Sequence, residues 1–219
     1  MSEPYYSDDL VTLYHGDCLE ETAWLAADVL VTDPPYGVAY TSGWVEGRSR
    51  NNTAIQNDRT TETRDSAISA WGDRPYMCFG SWRSARPMNV RHQLIWDKGN
   101  DPGTGDLTMP WGGSFEEIYI SGSGPIWRGG RTASVLRAGK PLGHARPDHP
   151  TPKPVGLMES LIERCPGGMI ADPFAGSGST LIAARNLGRQ AIGVELEERY
   201  CEIIAKRLSQ QVFDFGGTP

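Results

Sequence analysis

Short apolar runs alternate with helix-forming segments along most of this chain, and this alternation constrains the fold more than any other feature. Strands are predicted at residues 10–14, 29–32, 76–79, 93–96, 115–120, 169–171 and 191–194. Helices are predicted at residues 19–27, 84–90, 179–187 and 197–208, and another begins at Pro154 and ends before Pro166. Strands separated by helices predict an α/β fold with a mostly parallel sheet.

The length of 219 residues and the hydrophobic fraction of 38% suit one packed domain, which we expect to span residues 1–219. Two segments lack periodicity: 37–62, predicted to be a mobile loop, and 121–149, predicted to be an irregular insertion. The four cysteines are scattered and the histidines lack metal spacing, so we expect reduced thiols, a cytoplasmic location and no metal. We also expect no secretory signal and no membrane span.

The net charge of −6 is unevenly distributed. Residues 1–36 contain eight acidic side chains and no Lys or Arg, whereas residues 128–153 contain six basic side chains and one acidic one. Residues 76–100 are also basic. Phosphate binding requires a local positive surface and not a positive total. The pattern therefore permits nucleic-acid binding, although solvated loop charges explain it equally well.

A glycine-rich turn, Asp172-Pro-Phe-Ala-Gly-Ser-Gly-Ser-Thr180, lies between a predicted strand and a predicted helix. Gly176 and Gly178 lack a Cβ, which allows a sharp turn and close approach of a ligand. Glu195 ends the next predicted strand, where a carboxylate accepts ribose hydroxyls in dinucleotide folds. No Gly-Lys-Ser/Thr follows the turn, and a third glycine is missing. Asp172 is the only charge in residues 170–184, which favours a positively charged ligand such as S-adenosylmethionine over a triphosphate; a plain tight turn is the alternative.

The tetrapeptide Asp33-Pro34-Pro35-Tyr36 directly follows a predicted buried strand. Ligands of open α/β sheets lie beyond the carboxyl ends of the strands, and two prolines hold nearby carbonyl acceptors in a rigid frame. An exocyclic amine is a poor nucleophile because its lone pair is delocalised into the ring. We expect Asp33 and the Pro34 carbonyl to accept hydrogen bonds from the two hydrogens of such an amine, which would expose its lone pair. Tyr36 would then stack on the flipped base that carries the amine. A strand-ending Pro-Pro turn is the alternative.

Together these two motifs resemble those of the amino-methyltransferases that modify DNA at adenine N6 or cytosine N4. His149-Pro-Thr-Pro-Lys-Pro154 is similar to that family's cofactor-side motif, and Gly193-Val-Glu195 and Gly16-Asp17 are similar to its acidic positions. The catalytic tetrapeptide precedes the cofactor motif, which resembles the circularly permuted arrangement of the β group. The resemblance implies a Rossmann-like methyltransferase fold in which the strands before Asp33 and Asp172 are central neighbours.

The resemblance also implies roles for individual residues. The base would be held and activated by Asp33, Pro34, Pro35 and Tyr36, and an aspartate in first position favours adenine. S-adenosylmethionine would be bound by Asp17, Thr151, Lys153, Asp172, Phe174, Gly176, Gly178 and Glu195, with Thr151 and Lys153 near its carboxylate. The partner implied is double-stranded DNA, and a homodimer is expected.

Little of the chain is left for a separate target-recognition domain, so Trp127, Arg128 and Arg131 are predicted to contact DNA phosphates or base edges. Four alternatives stay open: a cytosine-N4 enzyme, an RNA or protein methyltransferase, a catalytically idle DNA- or nucleotide-binding relative, and a phosphate-dinucleotide enzyme. The permuted order argues against the second, the intact motifs against the third and the incomplete glycine pattern against the fourth.

Overall fold

The computed structural model describes residues 2–37, 60–99, 108–122, 126–139 and 152–210, and the following concerns these ranges. Nine strands form one sheet: β1 Tyr6–Ser7, β2 Val11–His15, β3 Val29–Thr32, β4 Tyr76–Gly80, β5 His92–Asp97, β6 Phe115–Ile120, β7 Val135–Arg137, β8 Ile170–Asp172 and β9 Ala191–Glu195. Their order across the sheet is β1-β2-β9-β8-β3-β4-β6-β5-β7. Four α-helices accompany them: α1 Glu62–Trp71, α2 Val155–Ile162, α3 Ser179–Asn186 and α4 Glu198–Gln210.

The sheet is mostly parallel, as predicted. Only β1 and β6 run against the other strands. We call the side at which the parallel strands end the carboxyl edge, and the opposite side the amino edge. Because β6 is antiparallel to β4 and β5, its first residues lie at the carboxyl edge.

The two motif-bearing strands are direct neighbours, which confirms the predicted adjacency. β3 pairs in parallel with β8 through Val29↔Ile170 and Leu30↔Ala171. All four residues of β3 are buried, as expected for a central strand covered on both faces. Asp33 and the glycine-rich turn therefore emerge side by side at the carboxyl edge.

Helices cover both faces of the sheet. α2, α3 and α4 pack on one face, where Val31, Met77 and Phe79 of the central strands belong to the larger buried cluster. α1 and a 3-10 helix at Ala23–Ala26 pack on the other face, where Trp24 stacks on Trp71 with ring centroids 5.8 Å apart. This is the three-layer arrangement expected when strands and helices alternate.

Several predicted elements differ in the structure. The predicted helix at 84–90 is wrong: the segment is irregular with one turn at 88–89, because Pro87 has no N–H to donate and Asn89 adopts a φ of 60°. The predicted helix at 19–27 is reduced to the 3-10 helix Ala23–Ala26. The sequence analysis did not predict β1, α1 or β7, and β7 lies within the supposedly irregular segment 121–149.

The helix α1 escaped prediction because most of its residues are polar and its apolar contacts are few. Only Ala67, Ile68 and Trp71 are buried apolar residues there. Most of the predicted loop 37–62 lies outside the described residues. Of the helices in the described ranges, none has the length and apolar character that a bilayer span requires.

Candidate active site

The two motifs are joined by a hydrogen bond at the carboxyl edge. The Thr32 hydroxyl, on the last residue of β3, donates to Asp172 Oδ1 over 2.7 Å. Both residues are almost fully buried, with exposed fractions of 1% and 2%. The Phe174 amide donates to the same Asp172 oxygen over 3.2 Å. Asp172 therefore holds the start of the glycine-rich turn against the strand that carries Asp33.

Asp33 lies at the centre of a cluster of charged and phenolic groups. Its Oδ1 accepts a 2.6 Å hydrogen bond from the Tyr36 hydroxyl, and its Oδ2 lies 2.5 Å from Lys153 Nζ. The tetrapeptide turns back on itself, so that its first and last side chains meet. Pro34 is buried, whereas Pro35 and Tyr36 are partly exposed. The structure thus brings the predicted base-activating residues together.

Two further residues complete the group, which we call the Asp33 cluster: Asp33, Tyr36, Lys98, Glu116 and Lys153. Glu116 Oε2 lies 3.1 Å from Lys153 Nζ and 3.0 Å from the Tyr36 hydroxyl, which can donate to either carboxylate. Glu116 Oε1 lies 2.6 Å from Lys98 Nζ. The sequence analysis missed both Glu116 and Lys98. Glu116 is at the site because β6 runs antiparallel, and the sequence signal for it was a pair of carboxylates near the start of an otherwise apolar strand.

The Asp33 cluster contains two carboxylates and two ammonium groups, but the ammonium groups affect the pKa values of the two carboxylates unequally. Burial raises the pKa of Glu116, yet Lys153 and Lys98 outweigh this effect and lower it to about 2. Burial also raises the pKa of Asp33; Lys153 opposes that effect only in part, and the pKa stays above its usual value. For Lys153, burial disfavours the ammonium form, but Asp33 and Glu116 outweigh it and raise the pKa. Lys153 is therefore a cation shared by a strongly acidic Glu116 and a less acidic Asp33.

The structure places the Lys153 ammonium beside Asp33, and its predicted role at the cofactor carboxylate stays a prediction. Its ammonium lies at Asp33, on the target side of the site, with an exposed side-chain fraction of 5%. Its backbone carbonyl accepts a 2.7 Å hydrogen bond from Ser179, the first residue of α3. Lys153 thus contacts the helix after the glycine-rich turn through its backbone and the Asp33 cluster through its side chain. Thr151 lies outside the described residues.

The glycine-rich turn is closed by Glu195 at the end of β9. Glu195 Oε2 accepts a 2.7 Å hydrogen bond from the Gly176 amide, and Oε1 accepts one of 2.9 Å from the Glu197 amide. Burial raises the pKa of Glu195 to about 7 and that of Asp172 to about 6. Neither carboxylate forms a salt bridge within the described ranges. Two buried, uncompensated carboxylates at one turn suit a ligand that brings positive charge.

The remaining predicted cofactor residues occupy the same end of the sheet. Asp17 follows β2, which pairs with β9, and its Oδ1 accepts a hydrogen bond of 2.9 Å from Leu19. Phe174 is partly buried against the α1 side of the sheet. Gly178 has a φ of 78°, and a Cβ there would lie 2.8 Å from Ile204 of α4. Gly178 is therefore required for the packing of α4 as well as for the turn.

The structure does not bring the predicted DNA-contacting residues to this site. The Arg128 amide donates to the Arg164 carbonyl just after α2, and its guanidinium lies beside Gly167, ahead of β8. These contacts lie at the amino edge. Arg128 and Arg131 are exposed, but Trp127 packs on the larger buried cluster, and its Nε1 has no hydrogen-bond partner in the described part of the chain.

Exposed aromatic residues are found instead near the carboxyl edge. Trp82 follows β4 and is 68% exposed, and the Arg83 guanidinium lies 5.3 Å from its ring centroid. Trp111, four residues before β6, is 78% exposed. No cluster of three or more His, Cys, Asp or Glu suited to a metal ion occurs in the described ranges.

Comparison with known proteins agrees with this geometry. The family model N6_N4_Mtase, described as DNA methylase, matches residues 49–206. "Putative methylase YubD" of Escherichia coli (strain K12) is 30% identical over 217 residues, which cover 89% of this chain and 88% of that protein. "Type II methyltransferase M.ScaI" of Streptomyces caespitosus is 25% identical over 263 residues, which cover 96% of this chain and 85% of that protein.

Two solved structures share the fold. The M1.HpyAVI–SAM complex superposes with a TM-score of 0.65 at 22% identity, covering 91% of this chain and 99% of its own. PvuII DNA methyltransferase, described as cytosine-N4-specific, gives a TM-score of 0.68 at 14% identity and covers 100% of this chain and 91% of its own. These likenesses confirm the predicted α/β methyltransferase fold.

Proposed function

The chain belongs to the N6_N4_Mtase family of DNA methylases, and from that premise we propose that it transfers a methyl group from S-adenosylmethionine to the N6 of adenine in double-stranded DNA. The observation that carries the proposal is the β3–β8 pair, which places Asp33 beside the glycine-rich turn. An amine held at Asp33 and a cofactor held at that turn meet across one short gap. Proximity and alignment of this kind supply much of the rate in a bimolecular transfer.

The residues of the turn fit this cofactor. Asp172 and Glu195 are buried carboxylates with raised pKa values and no salt bridge in the described ranges. S-adenosylmethionine carries a sulfonium and an ammonium, which offset the cost of keeping such carboxylates ionised. We assign its binding to Asp17, Asp172, Phe174, Gly176, Gly178 and Glu195, with the ribose hydroxyls donating to Glu195. When bound, S-adenosylmethionine supplies a methyl group attached to a positively charged sulfur.

The tetrapeptide activates the base. Asp33 and the Pro34 carbonyl accept the two N6 hydrogens and expose the nitrogen lone pair toward the cofactor side. The Tyr36 ring stacks on the flipped adenine. As the nitrogen–carbon bond forms and the carbon–sulfur bond breaks, N6 must lose one proton. Asp33 receives it, because burial already raises the pKa of that carboxylate, and later releases it to solvent.

Adenine is favoured over cytosine because aspartate stands first in the tetrapeptide, where the cytosine-N4 enzymes more typically have serine. The fold does not separate the two, since a cytosine-N4-specific enzyme is among the structural neighbours. Cytosine N4 is therefore the second candidate. It needs the same accepting groups, since its exocyclic amine is also conjugated with the ring.

We place the DNA on the face formed by Trp82, Arg83 and Trp111. Base flipping leaves unstacked neighbours that exposed aromatic side chains can contact, and Arg83 adds a phosphate partner. Arg128 and Arg131 lie at the amino edge, and we do not include them in this DNA-binding face. A homodimer, which light scattering of the purified protein would detect, would add a second such face.

The deciding experiment is mass spectrometry of nucleosides from unmethylated DNA incubated with the protein and methyl-deuterated S-adenosylmethionine. Labelled N6-methyladenine is the expected product. Labelled N4-methylcytosine would retain the mechanism and change the base. Label on RNA or protein but not on DNA would overturn the proposal, and cofactor binding without any transfer would identify an idle relative.

A further inference from the structure

We propose that Glu116 is a positioning residue that takes the Lys153 ammonium from Asp33 when the target base enters the site. This inference rests on the proposed function, because it concerns how Asp33 becomes free to hold an amine. The residue is new to the site: neither the tetrapeptide nor the glycine-rich turn contains it.

Both oxygens of the Asp33 carboxylate have partners in the structure. Its Oδ1 accepts the Tyr36 hydroxyl at 2.6 Å, and its Oδ2 is paired with Lys153 at 2.5 Å. An ammonium at that distance competes with an incoming amine for the same oxygen, and the charge-assisted contact is the stronger one. Base binding at Asp33 therefore requires Lys153 to move.

Glu116 offers the ammonium another partner without a large movement. Glu116 Oε2 is already 3.1 Å from Lys153 Nζ. Lys98 holds the other oxygen at 2.6 Å, so the Glu116 carboxylate stays in place while Lys153 shifts toward it. A buried ammonium that changes partners stays paired throughout, and this avoids the cost of an isolated buried charge.

Aromatic rings surround the path of the ammonium. Lys153 Nζ lies 5.0 Å from the Phe79 ring centroid, 5.7 Å from that of Tyr36 and 6.0 Å from that of Trp96. Cation–π attraction at these distances stabilises the charge without fixing it to one carboxylate. The Tyr36 hydroxyl also lies within hydrogen-bond distance of both carboxylates. The ammonium can therefore pass from Asp33 to Glu116 while it stays near these rings.

The transfer also readies Asp33 as a proton acceptor. Once Lys153 moves away, the Asp33 carboxylate loses its nearest cation while it stays mostly shielded from solvent, so its affinity for a proton rises. The rise coincides with arrival of the amine. Arrival of the base would thus raise the basicity of the residue to which we assign the N6 proton.

The test compares Glu116→Gln with Glu117→Gln. Glu117 is the next residue of β6, and its carboxylate bonds to Tyr119 and Gln93 outside the Asp33 cluster. In Glu116→Gln the ammonium keeps Asp33 as its one anionic partner among the described residues, so kcat should fall by about tenfold or more, a change of roughly 1.4 kcal/mol in the barrier. The dissociation constant for S-adenosylmethionine and the melting temperature should stay close to those of Glu117→Gln. A kcat within twofold of wild type would overturn the inference.

A second variant separates positioning from a structural role. Adding Lys153→Met to Glu116→Gln removes the cation that blocks Asp33, so kcat should rise above that of Glu116→Gln alone when measured at a pH where Asp33 is ionised. If the two substitutions only damaged the structure independently, their separate losses in kcat would add in the double variant. An additive loss would overturn the inference, because Lys153 would then not be what Glu116 controls.

A titration distinguishes failure of this inference from failure of the proposed function. NMR of the side-chain carboxyl carbons follows the titration of Asp33 in the free protein and requires no methyl transfer. Removing the Glu116 charge should lower the Asp33 midpoint, since that charge raises the pKa of Asp33, and Glu117→Gln should leave it unchanged. An unchanged Asp33 titration midpoint in Glu116→Gln would overturn the inference that Asp33 and Glu116 share the Lys153 ammonium. A lowered midpoint in a protein that methylates no DNA would uphold the shared ammonium and overturn the proposed function.

Discussion

The Thr32 hydroxyl donates a 2.7 Å hydrogen bond to the Asp172 carboxylate, and this contact joins two motifs that lie 140 positions apart in the chain. It holds the strand that precedes the tetrapeptide beside the start of the glycine-rich turn. Both partners are buried at the centre of the sheet. The contact therefore affects both stability and the alignment on which transfer depends.

Replacement of Thr32 by valine should destabilise the fold by about 1–3 kcal/mol, because it leaves the buried Asp172 carboxylate with one donor fewer. Valine is also β-branched and keeps the strand preference, so the lost free energy of unfolding reports on the hydroxyl alone. Urea unfolding measures that free energy, with Thr12→Val on β2 as the matched control. The same variant should raise the pKa of Asp172 further, since the Thr32 hydrogen bond lowers it. Equal stability of the two variants would contradict the role of this bond.

Cofactor affinity should fall as pH falls through about 7. Burial raises the pKa of Glu195 to about 7, although the Glu197 and Gly176 amides partly oppose this. Only the ionised carboxylate accepts both ribose hydroxyls, so the dissociation constant should rise by at most about tenfold per pH unit below that value. Calorimetry from pH 5.5 to 8 tests this. Glu195→Gln should bind more weakly and lose the pH dependence near 7, keeping only that of Asp172 near 6, and Glu197→Gln should retain both.

The stability of the ligand-free protein should change with pH in the opposite direction. The folded protein holds the Glu195 proton more tightly than the unfolded chain, whose pKa is near 4.5. The contribution of Glu195 to stability is therefore largest below pH 4.5 and decreases as pH rises to about 7. Melting temperatures with and without S-adenosylmethionine should accordingly diverge as pH rises. A ligand-induced shift that is the same at every pH would contradict this prediction.

Gly178→Ala should destabilise the protein by roughly 2–4 kcal/mol. The residue has a φ of 78°, and its new Cβ would lie 2.8 Å from Ile204, so left-handed strain adds to overpacking. Gly156→Ala is the control: Gly156 lies in α2 with nothing within 4 Å of an added Cβ. That change should stabilise the protein by about 0.5–1 kcal/mol. Thermal unfolding that ranks the two variants in the other order would refute the packing argument.

Asp33→Ala should retain S-adenosylmethionine binding while transfer falls by about 10²–10⁴-fold or more, the range for loss of a positioned acid–base group. Lys153 keeps Glu116 as a partner at 3.1 Å, so the fold should survive the change. Single-turnover transfer and calorimetry separate the two effects. Appreciable transfer by Asp33→Ala would rule out the proposed activation of the amine.

Removal of Trp82 and Arg83 together should weaken binding of duplex DNA, since both lie next to the carboxyl edge and Trp82 is 68% exposed. The paired control, Arg128→Ala with Arg131→Ala, removes more positive charge from the amino edge. Fluorescence anisotropy at two salt concentrations measures both. A larger loss in the control pair would place the DNA at the amino edge and support the sequence-based prediction for Arg128 and Arg131.

Local sequence patterns were sufficient for the parts of this protein that are contiguous. The tetrapeptide at 33–36 and the glycine-rich turn at 172–180 contain their turn residues and their functional groups within a few positions. The strands that carry them were predicted nearly to the residue, because continuous burial requires apolar runs. The α/β class was predicted because those apolar runs alternate with segments whose apolar residues recur at helical spacing.

Features that depend on strand direction and on distant contacts were decided only by the tertiary structure. Glu116 joins Lys98 and Lys153 because β6 runs antiparallel to its neighbours, and no pattern within Phe115–Ile120 specifies that direction. Lys153 approaches Asp33 across 120 positions of chain, and Arg128 lies at the amino edge because its backbone pairs with Arg164. The sequence alone determined the groups contained in the two motifs, since those groups are local to turns. The packing of the sheet decided which charges share one buried volume, and this sets the pKa values on which the proposed chemistry depends.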